Sequence, residues 1–125
     1  MIKGIHHICM KCVTPEEVRK VKEFYIDVLG LKICREWAEG MMIDTGNGLI
    51  EVFTNAEGEH VKGVIRHVAL LTDDVDETVS KVKEAGYDVF REPNDVIIRS
   101  QPEYPIRMAF CHGPLGEEIE FFYER

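Results

Sequence analysis

Two histidines, His7 in "GIHHICMKC" and His67 in "VIRHVALLT", each stand where a short apolar run begins, and both runs read as strands. Two glutamates, Glu51 in "GLIEVF" and Glu120 in "EEIEFF", interrupt runs that are otherwise almost wholly Ile, Leu, Val and Phe. A carboxylate on such a strand is costly to desolvate unless something positive compensates it. Two imidazoles and two carboxylates, with no thiolate among them, form the donor set of a divalent cation such as Ni, Zn, Co, Mn or Fe(II). Four protein ligands with room for water fit an octahedral, catalytic site better than a closed tetrahedral one. Taken singly, each residue has a simpler reading. A strand-start histidine is usually satisfied locally or half-exposed, and a lone glutamate usually faces water. Their recurrence in pairs is what favours the metal.

Strand alternation assigns faces. His7, Cys9 and Lys11 share one side of the first strand, with Ile8, Met10 and Cys12 on the other; in the second, His67, Ala69 and Leu71 oppose Val68 and Leu70. On the closing strands Ile50 and Val52 oppose Glu51 and Phe53, while Ile119 and Phe121 oppose Glu120 and Phe122. The fully apolar faces belong under helices, so parity turns His7, Glu51, His67 and Glu120 toward the opposite, concave side. His6 is out of phase and reads as a surface or packing residue, although a slip of one residue would exchange it with His7. Cys9 and Cys12 imitate the spacing of a zinc knuckle, but residues three apart on a strand point to opposite faces.

The elements that must position these residues come as an internal repeat. After the first strand, Thr14 caps, Pro15 suits the first helical position and Glu17 completes a capping box. Val18, Val21, Phe24, Tyr25, Val28 and Leu29 then form an apolar stripe that Gly30 ends. After the second, Asp74 caps with Glu77 three residues on, Val75, Val79 and Val82 make the stripe, and Gly86 closes it. Beyond each glycine the likeness is residue by residue, "GLKICRE" against "GYDVFRE", alternating as half-buried strands do. Turn-rich sequence and a final strand containing Ile-Glu complete each copy. Residues 1–57 and 63–125 are thus two βαβββ modules joined by "AEGEHVKG", together one α+β domain over 1–125 with helices on one side of mostly antiparallel sheets.

Composition agrees. The 125 residues suffice for one domain, and 45% apolar with 30% charged residues is the balance of a water-soluble globular chain. No run approaches the roughly 18 apolar residues of a membrane helix, and no apolar leader opens the chain, so the expectation is the cytoplasm with no membrane partner. A net charge of −8 with scattered Lys and Arg argues against nucleic acid. The four cysteines are expected as free thiols.

The segments "IHHICM", "FYIDVLGLK", "GLIEVF", "RHVALLTDDVDETVSKVKEAG" and "GPLGEEIEFFYE" together resemble the glyoxalase I / vicinal oxygen chelate superfamily over essentially the whole chain. The resemblance implies tandem βαβββ modules forming a U-shaped mixed sheet around a metal held by His7, Glu51, His67 and Glu120, the set that parity selects. Ring-cleaving dioxygenases and fosfomycin-modifying enzymes of that superfamily typically use a single glutamate. Methylmalonyl-CoA epimerases usually place a glutamine where Glu51 stands, and bleomycin-binding relatives have lost the metal residues. Having both Glu51 and Glu120 resembles glyoxalase I, a lyase that converts the hemithioacetal of methylglyoxal and glutathione to S-lactoylglutathione through an enediolate.

That likeness implies one divalent ion per site (Ni, Co or Zn), Glu120 as the base with Glu51 as its counterpart, and a homodimer acting on a small thiol–aldehyde adduct. It also implies thiol contacts near Lys11 and Asn55; Lys11 stands where arginine is more usual, and its simpler reading is a side chain extended to solvent. The alternatives are an epimerase or isomerase of the same superfamily on another substrate, and a metal- or ligand-binding protein without turnover. Two departures stand out. The last turn reads "GPLGEE" rather than Asp-Pro-Asp-Gly, and "EPNDVIIRSQPEYPIR" makes the path from His67 to Glu120 nine residues longer than that from His7 to Glu51. With Pro93, Pro102 and Pro105, this segment reads as a rim or lid over the site, or as an ordinary connecting loop. Arg99 and Arg107 in it either meet an anionic substrate or pair with surface acids.

Overall fold

Each module opens with a strand that feeds a capped helix. In the computed structural model, which describes residue 1 and residues 3–125, strand β1 (His7–Lys11) leads to helix α1 (Pro15–Lys22). The Thr14 hydroxyl accepts the Glu17 N–H at 3.2 Å. The Glu17 carboxylate reaches back to the Thr14 N–H as a capping box requires, and more strongly to the Val13 N–H, one residue earlier, which its Oε2 accepts at 2.6 Å. From Glu23 to Val28 the helix widens into π-helical turns instead of continuing as α, with the Leu29 N–H reaching the Phe24 carbonyl at 2.9 Å. The wider turn accommodates two adjacent buried rings, Phe24 and Tyr25, which meet edge-on at 4.9 Å. Gly30, at φ 73°, ends the segment in the left-handed conformation that glycine adopts without strain.

Strands β2 (Lys32–Trp37), β3 (Gly40–Asp44) and β4 (Leu49–Phe53) complete the first module. The second repeats the plan with β5 (Val68–Leu71), α2 (Val75–Glu84), β6 (Val89–Ile98), β7 (Tyr104–His112) and β8 (Glu118–Glu124). The chain divides into two units accordingly, Met1–His60 and Val61–Arg125. Each holds one four-stranded mixed sheet, in the order β1-β4-β3-β2 and β5-β8-β7-β6. The first and last strands of each module run parallel and the remaining pairs antiparallel. The α+β architecture of tandem βαβββ modules is therefore present as the sequence implies.

The equivalence extends to irregularities. A β-bulge falls between Ile33 and Arg35 in the first sheet and between Val89 and Arg91 in the second, the same point of the repeat. The cores follow the expected parity. Val21, Phe24, Tyr25, Met41, Ile43, Ile50 and Val52 are buried in one unit; Val75, Val79, Val82, Ile106, Met108, Cys111, Ile119 and Phe121 in the other. Helix α2 lays its valines on β6, β7 and β8. In the first unit the Tyr25 hydroxyl reaches the Met10 sulfur at 3.8 Å, so the helical segment lies on the side away from His7.

The proline-bearing segment 92–107 is not an irregular loop. It extends the β6–β7 hairpin, whose strands have 10 and 9 residues against 6 and 5 in β2 and β3. Pro93, which has no N–H to give a ladder, falls in a second bulge between Arg91 and Asn94, where the strand tolerates it. The Gln101–Pro102 peptide, in the hairpin turn, is cis. Arg107 is committed within the module: its guanidinium donates to Asp76 at 2.6 and 2.7 Å and to Asp95 at 2.9 Å. Among the described residues no helix is long and apolar enough to cross a membrane.

Candidate metal centre

In the first module the parallel pairing of β1 with β4 sets Cys9 directly across from Glu51 and His7 across from Leu49. Residues two apart on a strand share a face, so His7, Cys9 and Glu51 lie together, and His7 Nε2 stands 3.7 Å from Glu51 Oε1. The glutamate side chain is 15% exposed and the imidazole 37%. Two neighbours to which the sequence assigns no part in the site join this pair. His6 touches His7, Nδ1 to Nδ1, at 2.9 Å with the rings edge-on, which leaves Nε2 of His7 turned to the carboxylate. Cys9 carries no role in the sequence reading, although it has the parity of His7; burial first, and then the adjacent Glu51 charge, push its thiol up from the ordinary value.

In the second module the corresponding contact is tighter. His67 Nε2 lies 3.2 Å from Glu120 Oε2, with the glutamate side chain only 9% exposed. His67 sits one residue ahead of β5 rather than inside it. Glu120 is flanked by Ala69 on β5 and Phe110 on β7, and the Phe110 ring meets His67 edge-on at 5.3 Å. Beyond Phe110 the rings continue. Phe90 is 5.7 Å away and stacks at 4.3 Å on His112, whose Nδ1 lies 2.7 Å from Asp88. Its advance sign in the repeat was Asp88 and Phe90 standing where Lys32 and Cys34 stand, two of the four mismatches between "GLKICRE" and "GYDVFRE".

Each pair joins one imidazole to a carboxylate largely withdrawn from water, and among the described residues neither carboxylate has a Lys or Arg within ion-pair reach. That is the compensation a bound cation supplies, and the N/O donors suit a divalent ion. Among the described residues no three His, Cys, Asp or Glu side chains gather as a ready metal cluster; each module brings a pair together. The glyoxalase/bleomycin resistance protein/dioxygenase superfamily model matches residues 4–121. The chain belongs to that superfamily. Solved structures with the same fold include a glyoxalase I mutant from Zea mays, SMU.1112c and a glyoxalase family protein from Enterococcus faecalis. The maize structure has a TM-score of 0.77 at 19% identity, over 94% of this chain and 43% of that one. For SMU.1112c the TM-score is 0.76 at 21% identity, covering 98% and 99%; for the Enterococcus protein it is 0.70 at 19%, covering 96% and 97%. No curated protein matches the chain.

Members of the superfamily generally bind a divalent metal and small molecules. The other residues marked in the sequence fall as follows. Lys11 holds its ammonium 5.7 Å from the centre of the Phe53 ring, which itself meets Trp37 edge-on at 5.8 Å. Asn55 is exposed two residues past β4, and Arg99 is exposed at the start of the β6–β7 turn. Cys9 and Cys34 are exposed, while Cys12 and Cys111 are buried.

Proposed function

We propose that this superfamily member is a metal-dependent lyase of the glyoxalase I type, isomerising the hemithioacetal of a thiol and methylglyoxal, as a homodimer in the cytoplasm. The observation that carries the reading is the repeated pair: in each module an imidazole faces a shielded carboxylate, at 3.7 Å and 3.2 Å. His7, Glu51, His67 and Glu120 are the ligands of one Ni, Co or Zn ion, drawn from one chain or from two. A metal held there supplies Lewis-acid polarisation of two neighbouring substrate oxygens, with no redox step. Glu120 takes the proton from the thiol-bearing carbon and returns it to the adjacent carbon, and Glu51 is its counterpart. Burial between Ala69 and Phe110 keeps water from Glu120, so the proton goes back to substrate rather than to solvent. Lys11 and Asn55 contact the thiol.

A second reading, an epimerase or isomerase moving a proton in the same way on another substrate, draws support from Lys11, which stands where arginine is more usual and lies over Phe53. The test is to load purified protein with Ni, Co or Zn, measure bound metal, and follow conversion of the methylglyoxal–glutathione adduct. The expected result is stoichiometric metal and turnover that Glu120→Gln abolishes. Full activity in that variant removes Glu120 as the base. Metal without turnover on any hemithioacetal leaves a binding protein, and turnover on a different acid or thioester moves the assignment to the second reading.

A further inference from the structure

The repeat supplies an internal control for what the fold itself requires. In the first sheet the positions equivalent to Asp88, Phe90, Phe110 and His112 are Lys32, Cys34, Met42 and Asp44, so a βαβββ sheet with the same bulge forms without any ring there. In the second sheet these positions build a continuous aromatic strip that starts at the His67–Glu120 pair. Phe110 lies across from Glu120 and against His67, and Phe90 follows at 5.7 Å. Phe90 sits in the bulge, a device that re-aims a side chain, and it remains 45% exposed. His112 backs it at 4.3 Å with the two planes only 27° apart, and the 2.7 Å contact of Asp88 with Nδ1 fixes that imidazole. An exposed ring held flat by a second ring, which is in turn held by a carboxylate, is a preorganised stacking surface.

Resting on the metal site and proton transfer proposed above, but with a bulkier 2-oxoaldehyde in place of methylglyoxal, we infer that the substrate carries an aryl or similarly planar apolar substituent that stacks on Phe90 while its vicinal oxygens are held beside Glu120. Phe90 and Phe110 set this preference, and His112 and Asp88 position Phe90. A methyl substituent leaves the Phe90 face in water, whereas a ring covers it.

The test uses two vicinal-oxygen chelators that differ by one ring, benzohydroxamate and acetohydroxamate, titrated calorimetrically into the metal-loaded protein. Benzohydroxamate is expected to bind about tenfold more tightly, the scale of one well-placed aromatic stack. The selectivity ratio then collapses toward one in Phe90→Ala. It falls severalfold in Phe90→Leu, which keeps apolar volume and guards against a folding failure of the first variant. Equal affinities in the wild type, or a ratio that survives both substitutions, overturn this inference and leave the metal reading standing. If neither compound binds, the metal reading fails and this inference falls with it. Equal affinities accompanied by dissociation of a dimer in Phe90→Ala assign the strip to a subunit contact, which also overturns it.

Discussion

The two modules share a strand order, a parallel first-to-last pairing, a bulge and an imidazole–carboxylate contact, yet they surround the carboxylate differently. Glu51 has Cys9 and Met42 beside it and stands 3.7 Å from its histidine; Glu120 has Ala69 and Phe110 and stands at 3.2 Å. Register repeats because pairing geometry demands it, while the residues on the open face are free to diverge because no core depends on them. If the divergence makes Glu120 the base and Glu51 mainly a ligand, the two conservative replacements separate. Glu120→Gln should lower kcat by roughly a hundred- to ten-thousandfold, the usual worth of a positioned proton acceptor, while metal content is largely kept. Glu51→Gln should cost less in kcat and more in metal affinity. Steady-state kinetics alongside metal analysis of both variants checks this, and equal kcat losses would erase the functional distinction between the modules.

The helical segments differ next. The first buries two rings on π-helical turns, and the second buries only valines. Truncating a buried aromatic leaves the larger cavity, so Phe24→Ala should destabilise by about 3–5 kcal/mol and Val82→Ala by about 2 kcal/mol. Urea titrations of the two variants measure the gap. Similar losses would mean that the widened turn closes over the space that Phe24 vacates.

How much of this was legible beforehand follows from which physics each feature depends on. The element order, the buried valine stripe of α2 and the faces of His7, Glu51 and Glu120 were readable because side-chain parity and helical period are local properties of the chain. The widened turns at Glu23–Val28 were not, since α and π turns bury nearly the same residues of one stripe. The β6–β7 extension was misread because prolines argue against strands, and the bulge that accommodates Pro93 has no mark in the sequence. The contact of His6 with His7 and the ring run from Phe110 to His112 depend on cross-strand register and on rotamers, which a single sequence does not encode locally.

The buried thiol of β7 tests the core of the second module more gently. Burial first, and then Glu117 and Asp88, push Cys111 up to about 12. Its folded value lies above its unfolded one, so the unfolded chain sheds this proton first. The contribution is intact below the ordinary thiol range and declines as pH rises from there toward about 12. Cys111→Ala should therefore flatten the alkaline fall in stability, and alkylation of the native protein at neutral pH should label Cys9 and Cys34 while sparing Cys12 and Cys111. Rapid labelling of Cys111 would show that β7 opens readily.

The smallest effects lie at the helix starts, where the modules solve one problem in two ways. Asp74 alone accepts the Glu77 N–H at 2.9 Å, and Glu77 is drawn to Lys81 at 2.9 Å. Thr14 shares its task with Glu17, whose carboxylate takes the Val13 N–H and faces His60 at 3.1 Å. Loss of a cap costs about 1 kcal/mol, and the first helix retains a second acceptor, so Thr14→Ala should cost less than Asp74→Ala. The Val13 N–H first, and His60 after it, hold the Glu17 carboxyl below its ordinary value. A folded value below the unfolded one gives stability that is present above the ordinary glutamate range and lost as pH falls through the folded value. Glu17→Gln should accordingly remove part of the acid-side slope of stability, whereas Thr14→Ala should leave that slope in place. Urea midpoints measured from neutral pH down to about pH 3 distinguish the two. An unchanged slope in Glu17→Gln would reduce the first helix to a single cap, no better secured than the second.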